Sequence, residues 1–304
     1  MNRDTIKRWK GNPWRIGKSL AQRGLLKKMP DKAYLSIIYR ANLGKKMDWK
    51  HPKTFNEKLQ WLKLYDRNPV YSTMVDKYEA KQFVADRIGS QHVVPLLAGP
   101  WDSFDEIDFD ALPEQFVLKT THDCGGVWIC KDKQTMDKQA AKVFIEKHLK
   151  RDYYTTGREW PYKNVKPRIF AEQFLAELED DLRDYKFFCF DGVPKMMFIA
   201  SERQSKEQET KFDFFDMDFN HMPIINGHPN SPHPIEKPVH WEQMKELAAI
   251  LSAGIPQVRV DFYECNGHLY LGELTFSHWG GFVAFEPEEW DEKLGSWINL
   301  PKRK

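Results

Sequence analysis

The chain is short of cysteine, has no long apolar run and carries almost no net charge, and each shortage removes a class of protein. Its four cysteines, Cys124, Cys130, Cys189 and Cys265, form no C-x-x-C pair that would hold zinc. They are too few to staple a secreted scaffold, so a reducing cytoplasm is the expected setting. No apolar run could span a bilayer, and the basic start lacks the apolar stretch of a signal peptide, so neither a transmembrane helix nor a leader is expected. Lys and Arg number 46 against 44 Asp and Glu, a net charge of +2. That lacks the basic excess of a nucleic-acid binder, and nucleic acid is not an expected partner. No internal repeat and no low-complexity tract is present. What remains is an ordered chain of 304 residues, 14% of them aromatic, long enough to bury a full core in one large unit or two packed subdomains.

Three regions read differently. Residues 1–74 are helical in pattern, with Ala33 to Leu43 and Thr54 to Tyr65 carrying apolar residues at three- and four-residue spacing, and Thr54 with Glu57 forming a capping-box signal. The basic, Trp-containing stretch Ile6-Lys7-Arg8-Trp9-Lys10 has the composition for peripheral contact with the anionic inner face of a membrane. Region two, residues 75–170, opens with Val75-Asp76-Lys77-Tyr78 and a helix to Ile88. A strand at Gln115 to Lys119, a Gly-containing loop, a strand at Val127 to Cys130 and a helix near Asp137 to His148 follow. Region three, residues 171–304, is mostly strand pattern, with a polar segment between Met217 and Pro238 read as loop and a helix at Trp241 to Leu251. Strands and helices mixed in this order predict an α+β fold.

Two carboxylates in the last apolar hairpin need a reason, because a buried strand carboxylate is costly unless paired or metal-bound. They are Asp261 in Arg259-Val260-Asp261-Phe262 and Glu273 in Gly272-Glu273-Leu274-Thr275. A strict two-residue turn at Asn266-Gly267 would put Asp261 opposite Gly272 and point Glu273 to the other face. A three-residue loop with Gly267 left-handed would place both acids on one face, with Arg259 directly across from Glu273, suited to gripping Mg²⁺ and orienting a carboxylate or phosphate. Lys119, at a strand end before Thr120-Thr121-His122-Asp123-Cys124-Gly125-Gly126, adds a charge beside a loop whose backbone N–H groups can approach phosphate oxygens. It is not a G-x-x-x-x-G-K-[ST] loop. Glu172-Gln173-Phe174-Leu175, at the end of the strand from Pro167 to Ala171, offers backbone groups beside apolar side chains, a surface suited to an adenine ring.

In this order the elements resemble the ATP-grasp superfamily, over about Val75 to Gly281. The resemblance implies two α+β subdomains gripping ATP behind a short helical N-terminal region. It implies Lys77 and Lys119 on the phosphates, Gly125 and Gly126 in the covering loop, and Glu172, Gln173, Phe174 and Leu175 as the adenine hinge. Asp184 would touch the ribose, with Lys186 beside it. Arg259 would serve the reacting groups, and Asp261 and Glu273 would hold Mg²⁺. Thr275 stands where the family usually has Asn. Three longer strings, Thr54 to Asp66, Asp184 to Gly192 and Gly272 to Phe276, are similar to TupA-like proteins of teichuronopeptide and capsule synthesis.

That branch implies a carboxylate–amine ligase that makes an acyl phosphate from ATP and joins a uronic-acid carboxylate of a sugar or glycan to an amine or amino acid. Ligases such as D-alanine–D-alanine ligase carry an α/β domain ahead of the ATP module. Here some seventy mostly helical residues stand in its place, so the acceptor pocket must be built differently. Arg203, His122, His278 and Trp279 are further candidates for substrate contact, Arg203 the strongest because a strand-end arginine suits bidentate capture of an anion. An alternative is a nucleotide-sugar glycosyltransferase, for which Asp216-Met217-Asp218 has the D-x-D spacing.

Overall fold

A computed structural model describes residues 13–175, 183–202 and 209–303. The N-terminal region folds as α1 (Trp14–Gln22), α2 (Asp31–Leu43) and α3 (Phe55–Tyr65). The Thr54–Glu57 capping box forms in both directions and sets the start of α3. Gly44, at φ 73°, ends α2 in the left-handed conformation that a Cβ would penalise. The helix expected to run to Ile88 is α5 (Glu79–Ile88), and a short helix, α4 (Val70–Val75), precedes it. Asp76 breaks them, its carboxylate accepting the N–H groups of Tyr78 at 2.9 Å and Glu79 at 3.2 Å.

Two antiparallel sheets follow, and the fold is α+β. The smaller, in the order β1-β4-β2-β3, is made of β1 (Leu96–Trp101), β2 (Phe116–Thr120), β3 (Val127–Cys130) and β4 (Ile169–Gln173). One face packs on α6 (Lys138–Leu149), burying Phe116, Leu118, Ala141, Ile145, Ile169 and Ala171 together. A short helix, α7 (Tyr153–Gly157), and a loop lead back to β4. The expected boundary between residues 170 and 171 falls inside β4, which pairs with β2 through Gln173. The crossover to the second sheet therefore begins after that residue.

The larger sheet, in the order β10-β9-β5-β6-β7-β8, has β5 (Asp184–Phe190), β6 (Val193–Ser201), β7 (Lys211–Phe215), β8 (His221–Met222), β9 (Val258–Cys265) and β10 (His268–Thr275). Strand alternation splits its side chains between two cores. Tyr185, Phe187, Cys189, Val258, Val260 and Phe262 face α8 (Trp241–Ser252). Phe188, Phe190, Phe198 and Phe214 face Phe55 and Leu59 of α3 and Leu294 of α9 (Glu289–Trp297). Burying a phenylalanine contributes roughly 2–3 kcal/mol, so α3 is fastened to this sheet by Phe55, edge-on to Phe188 and Phe285 at 5.9 Å each.

The segment read as loop between Met217 and Pro238 contains β8 and the bridge Ile225–Glu286. Strands β1 and β7 and helix α9 were not expected; β1 carries cis Gly99-Pro100 and an exposed first half, so it lacks the alternation of a strand. Among the described residues no helix is long and apolar enough to cross a membrane. The basic stretch Ile6 to Lys10 lies outside the described residues.

Candidate active site

The β9–β10 hairpin combines features of both registers that the sequence left open. Asn266 and Gly267 form a two-residue turn with φ of 51° and 74°, and Cys265 pairs with His268. The three-residue loop is not what aligns the acids. The register instead slips between Leu271, opposite Phe262, and Glu273, opposite Asp261, with Gly272 as the extra residue of a bulge. Leu269 and Leu271 face the apolar core with Leu274, while Glu273 and Thr275 turn to the side of Arg259 and Asp261. Odd-numbered residues can change faces only because one residue has been inserted. A Cβ on Gly272 would lie 2.6 Å from the Tyr263 ring, which is why a glycine occupies the bulge. Arg259 lies across from Thr275 rather than from Glu273.

These residues form one charged network. Arg259 donates to both oxygens of Asp261 at 2.7 Å, to Glu273 at 3.2 Å and to the Thr275 hydroxyl at 3.1 Å. Thr275 in turn donates to Glu273 at 3.1 Å. Lys186 on β5 reaches Asp261 at 2.5 Å and Asp184 at 3.2 Å. Burial alone would raise the Asp261 carboxyl, but the Arg259 and Lys186 cations override it and hold it well below the usual carboxylate range. Asp184 is wholly buried, so it supports Lys186 from beneath and does not face an open ribose site. Glu273 keeps a side-chain exposure of 39%, against 1% for Asp261, so Glu273 is the acid that meets solvent. Behind Arg259, His278 accepts its NH1 at 2.6 Å and donates from Nε2 to Asn226 Oδ1 at 2.8 Å. Burial and the Arg259 charge push the His278 imidazole well down, so it is neutral and free to accept.

The smaller sheet carries a second charged group. Lys119, on the face of β2 away from α6, forms an ion pair with Glu172 of β4, and Lys81 of α5 binds the other Glu172 oxygen at 2.8 Å. Burial would raise Glu172, and the two lysines pull it below its usual value. Lys81 was not among the residues expected from the sequence; its position on a helix facing the hinge strand gives no local signal. Lys77 donates through Nζ to the Asp123 carbonyl oxygen and through its N–H to Thr121 at 3.0 Å, tying the start of region two to the glycine loop. Within that loop Asp123 is held by Thr120 and by His148 at 2.5 Å. A Cβ at Gly126 would stand 1.9 Å from the Thr120 hydroxyl, and Gly125 has φ of 92°, so both glycines are required. Among the described residues the N–H groups of Asp123, Cys124, Gly125 and Gly126 donate to no protein acceptor, which leaves them available to an anion.

Cys124, on the same loop, has its thiol raised first by burial and then by the negative charge of Glu273 on the larger sheet. Of the expected site residues, Lys186, Arg259, Asp261, Glu273 and Thr275 come together in one network on the larger sheet, and Lys119 with Glu172 and Lys77 with the loop of Gly125 and Gly126 belong to the smaller sheet. Gln173 pairs with Phe116 and by alternation points to the opposite face, so only its backbone is available to a ligand on the Lys119 side. Phe174 and Leu175 follow it, half-buried. Arg203 lies outside the described residues. Among the other candidates, His122 is buried and bonded to the Arg151 carbonyl at 3.0 Å, while Trp279 is 43% exposed. Asp216 is spent on a turn, accepting the N–H groups of Asp218 at 3.0 Å and Asn220 at 2.9 Å. Two hard carboxylates and a hydroxyl fit Mg²⁺, which takes one or two protein carboxylates and completes its shell with phosphates and water.

The family model described as TupA-like ATPgrasp matches residues 57–299. No curated protein sequence matches the chain. Solved structures similar to it include D-alanine–D-alanine ligase from Helicobacter pylori, at 15% identity and a TM-score of 0.45, covering 81% of this chain and 69% of that one. D-alanine–D-alanine ligase from Bacillus anthracis complexed with ATP is 14% identical with a TM-score of 0.36, over 67% of this chain and 54% of that one. N5-carboxyaminoimidazole synthetase from Staphylococcus aureus is 16% identical with a TM-score of 0.40, over 75% and 53%. The chain thus spans 54% and 69% of the two D-alanine–D-alanine ligases. TM-scores below 0.5 add no argument to the family match.

Proposed function

The chain belongs to the TupA-like ATP-grasp family, and from that premise we propose that it is an ATP-dependent carboxylate–amine ligase. The observation that carries the reading is the bulge at Gly272, which sets Glu273 across from Asp261 on the face of the larger sheet that carries Arg259, Lys186 and Thr275. Phosphoryl transfer asks a protein for position and charge neutralisation more than for a nucleophile, and these residues supply both. Lys119 and Lys77, with the free N–H groups of the loop, bind the phosphates, and the backbone of Glu172 to Leu175 holds the adenine. Asp261, Glu273 and Thr275 would hold Mg²⁺, which would supply positive charge against the phosphates. Arg259, aimed by His278, orients the attacking carboxylate and the acyl phosphate it becomes.

For substrates, the strings shared with teichuronopeptide and capsule proteins support a uronic-acid carboxylate of a sugar or glycan and an amine or amino acid, in surface-polysaccharide synthesis. A cytoplasmic setting, at the inner face of the membrane through Ile6 to Lys10, fits such a role. The glycosyltransferase alternative loses its metal pair, because Asp216 is committed to its turn.

Hydroxylamine trapping tests the reading. With MgATP, UDP-glucuronate or glucuronate and hydroxylamine, the protein should release ADP and form a hydroxamate, and Lys119→Ala and Glu273→Ala should abolish both. Binding of UDP-sugars without binding of MgATP would overturn it.

A further inference from the structure

The polar segment between Met217 and Pro238 sends one side chain into the core behind Arg259. Asn226 is buried, and the backbone fixes it on both sides. Before it, Ile225 and Glu286 exchange N–H···O bonds of 2.8 and 2.9 Å. After it, Gly227, at φ 84°, passes so close to Trp279 that a Cβ would lie 3.0 Å from the indole nitrogen.

The Asn226 amide can face only one way. Its Nδ2 donates to the carbonyl oxygens of Ala284 at 2.9 Å and Val283 at 3.4 Å. Carbonyls only accept, so Oδ1 is the atom turned to His278 Nε2 at 2.8 Å, and the imidazole carries its proton on Nε2. The other end of the chain requires the same tautomer independently. A guanidinium can only donate, so NH1 of Arg259, at 2.6 Å, needs His278 Nδ1 as an acceptor. Every bond from Arg259 through His278 and Asn226 to Ala284 thus points the same way, an arrangement in which hydrogen bonds polarise one another.

This chain is costly to bury. Arg259, His278 and Asn226 are all buried, the His278 ring lies against Phe188 and Phe198 at 5.0 and 5.4 Å, and Arg259 sits 5.7 Å from the Phe198 ring. Apolar side chains of similar volume would fill the space without the desolvation cost. They could not grip NH1 of Arg259 while its other N–H groups bind Asp261, Glu273 and Thr275. A planar guanidinium held on both edges has its plane set.

We propose that Asn226 is a positioning residue for the phosphoryl-transfer site: it fixes the orientation and the protonated nitrogen of His278, and through that ring the plane in which Arg259 meets the metal-binding acids and the activated carboxylate. The inference rests on the ligase reading and deepens it, adding a residue from a segment outside the nucleotide-site elements.

Two measurements test it. In wild type carrying nitrogen-labelled histidine, long-range proton–nitrogen spectra should show the His278 ring, identified by its loss in His278→Phe, as neutral and protonated on Nε2. That needs neither nucleotide nor a variant of Asn226, and a ring protonated on Nδ1, or charged at neutral pH, would overturn the proposal. The second is a double-mutant cycle in the hydroxylamine assay. Asn226→Leu should lower kcat by about fivefold, as loss of one buried hydrogen bond predicts, while the Kd for MgATP stays within about twofold of wild type. Asn226→Leu/His278→Phe should be no slower than His278→Phe alone, because Asn226 acts through the ring. If Asn226→Leu folds poorly, Asn226→Ser, whose hydroxyl is too short to reach Nε2, takes its place in the cycle. An unchanged kcat, or the same loss with and without His278, would overturn the proposal. A wild type that forms no hydroxamate would instead overturn the ligase reading, and the nitrogen spectrum would still judge the hold of Asn226 on His278.

Discussion

Glu273 stands across the strand pair from Asp261 because Leu271 and Gly272 share the space opposite Phe262. One inserted residue therefore sends Leu269 and Leu271 to the core and Glu273 and Thr275 to the side of Arg259. Gly272→Val should press a branched side chain against Tyr263 and disturb that register. The magnesium-dependent part of ATP affinity should fall by about tenfold, or about 1.4 kcal/mol. Calorimetry with and without Mg²⁺ reads it, and affinity equal to wild type would detach the bulge from metal binding.

Glu172 divides its two oxygens between Lys119 and Lys81. Removing Lys81 leaves Glu172 competing with the phosphates for Lys119 alone. Lys81→Ala should therefore raise the Kd for MgATP several-fold, and Lys81→Ala/Glu172→Gln should bind more tightly than Lys81→Ala. If the double variant is the weaker binder, Glu172 acts on the nucleotide directly.

Asp261 and Glu172 both have carboxyls pulled down by cations against the effect of burial. Their unfolded counterparts titrate at about 3.9 and 4.3, so near and below those values the unfolded chain binds more protons and stability drops as pH falls. The contribution is complete above that window and is lost through the depressed folded values. Asp261→Asn should flatten the acid arm of a Tm-against-pH curve. It should also cost roughly 3–5 kcal/mol at neutral pH by leaving Arg259 and Lys186 buried without their partner. An acid arm as steep as that of wild type would assign acid unfolding to other groups.

His278 accepts NH1 of Arg259, whose other partners are Asp261, Glu273 and the Thr275 hydroxyl. His278→Phe keeps the ring contact with Phe188, now at 5.0 Å, but strands an N–H of Arg259. An unsatisfied buried donor costs about 1–3 kcal/mol, and Arg259 should lose its aim. In the hydroxylamine assay kcat should drop by about tenfold or more with the Kd for MgATP little changed. A loss confined to ATP affinity would place His278 with nucleotide binding.

Much of the site was legible because its signals are local. Lys119 before a glycine-bearing loop, acids in apolar strands and the Thr54 capping box each follow from spacing alone. Lys81 and Lys63 were not legible, since each acquires its partner from far along the chain, as Lys63 does from Gly157 and Gly280. The strand β1, without alternating burial, gave no periodic pattern to read.

The sequence by itself determined the α+β class, the capping box of α3 and the alternation of the last hairpin, because propensity, capping and alternation act over a few residues, and its longer strings carried the resemblance to the family that matches. Only the tertiary structure decided that Asp261 and Glu273 share a face, that Glu172 holds two lysines, and that α3 packs on the larger sheet through Phe55. Those depend on a one-residue slip and on packing between distant segments, whose free energies belong to pairs of elements and to no single stretch of chain.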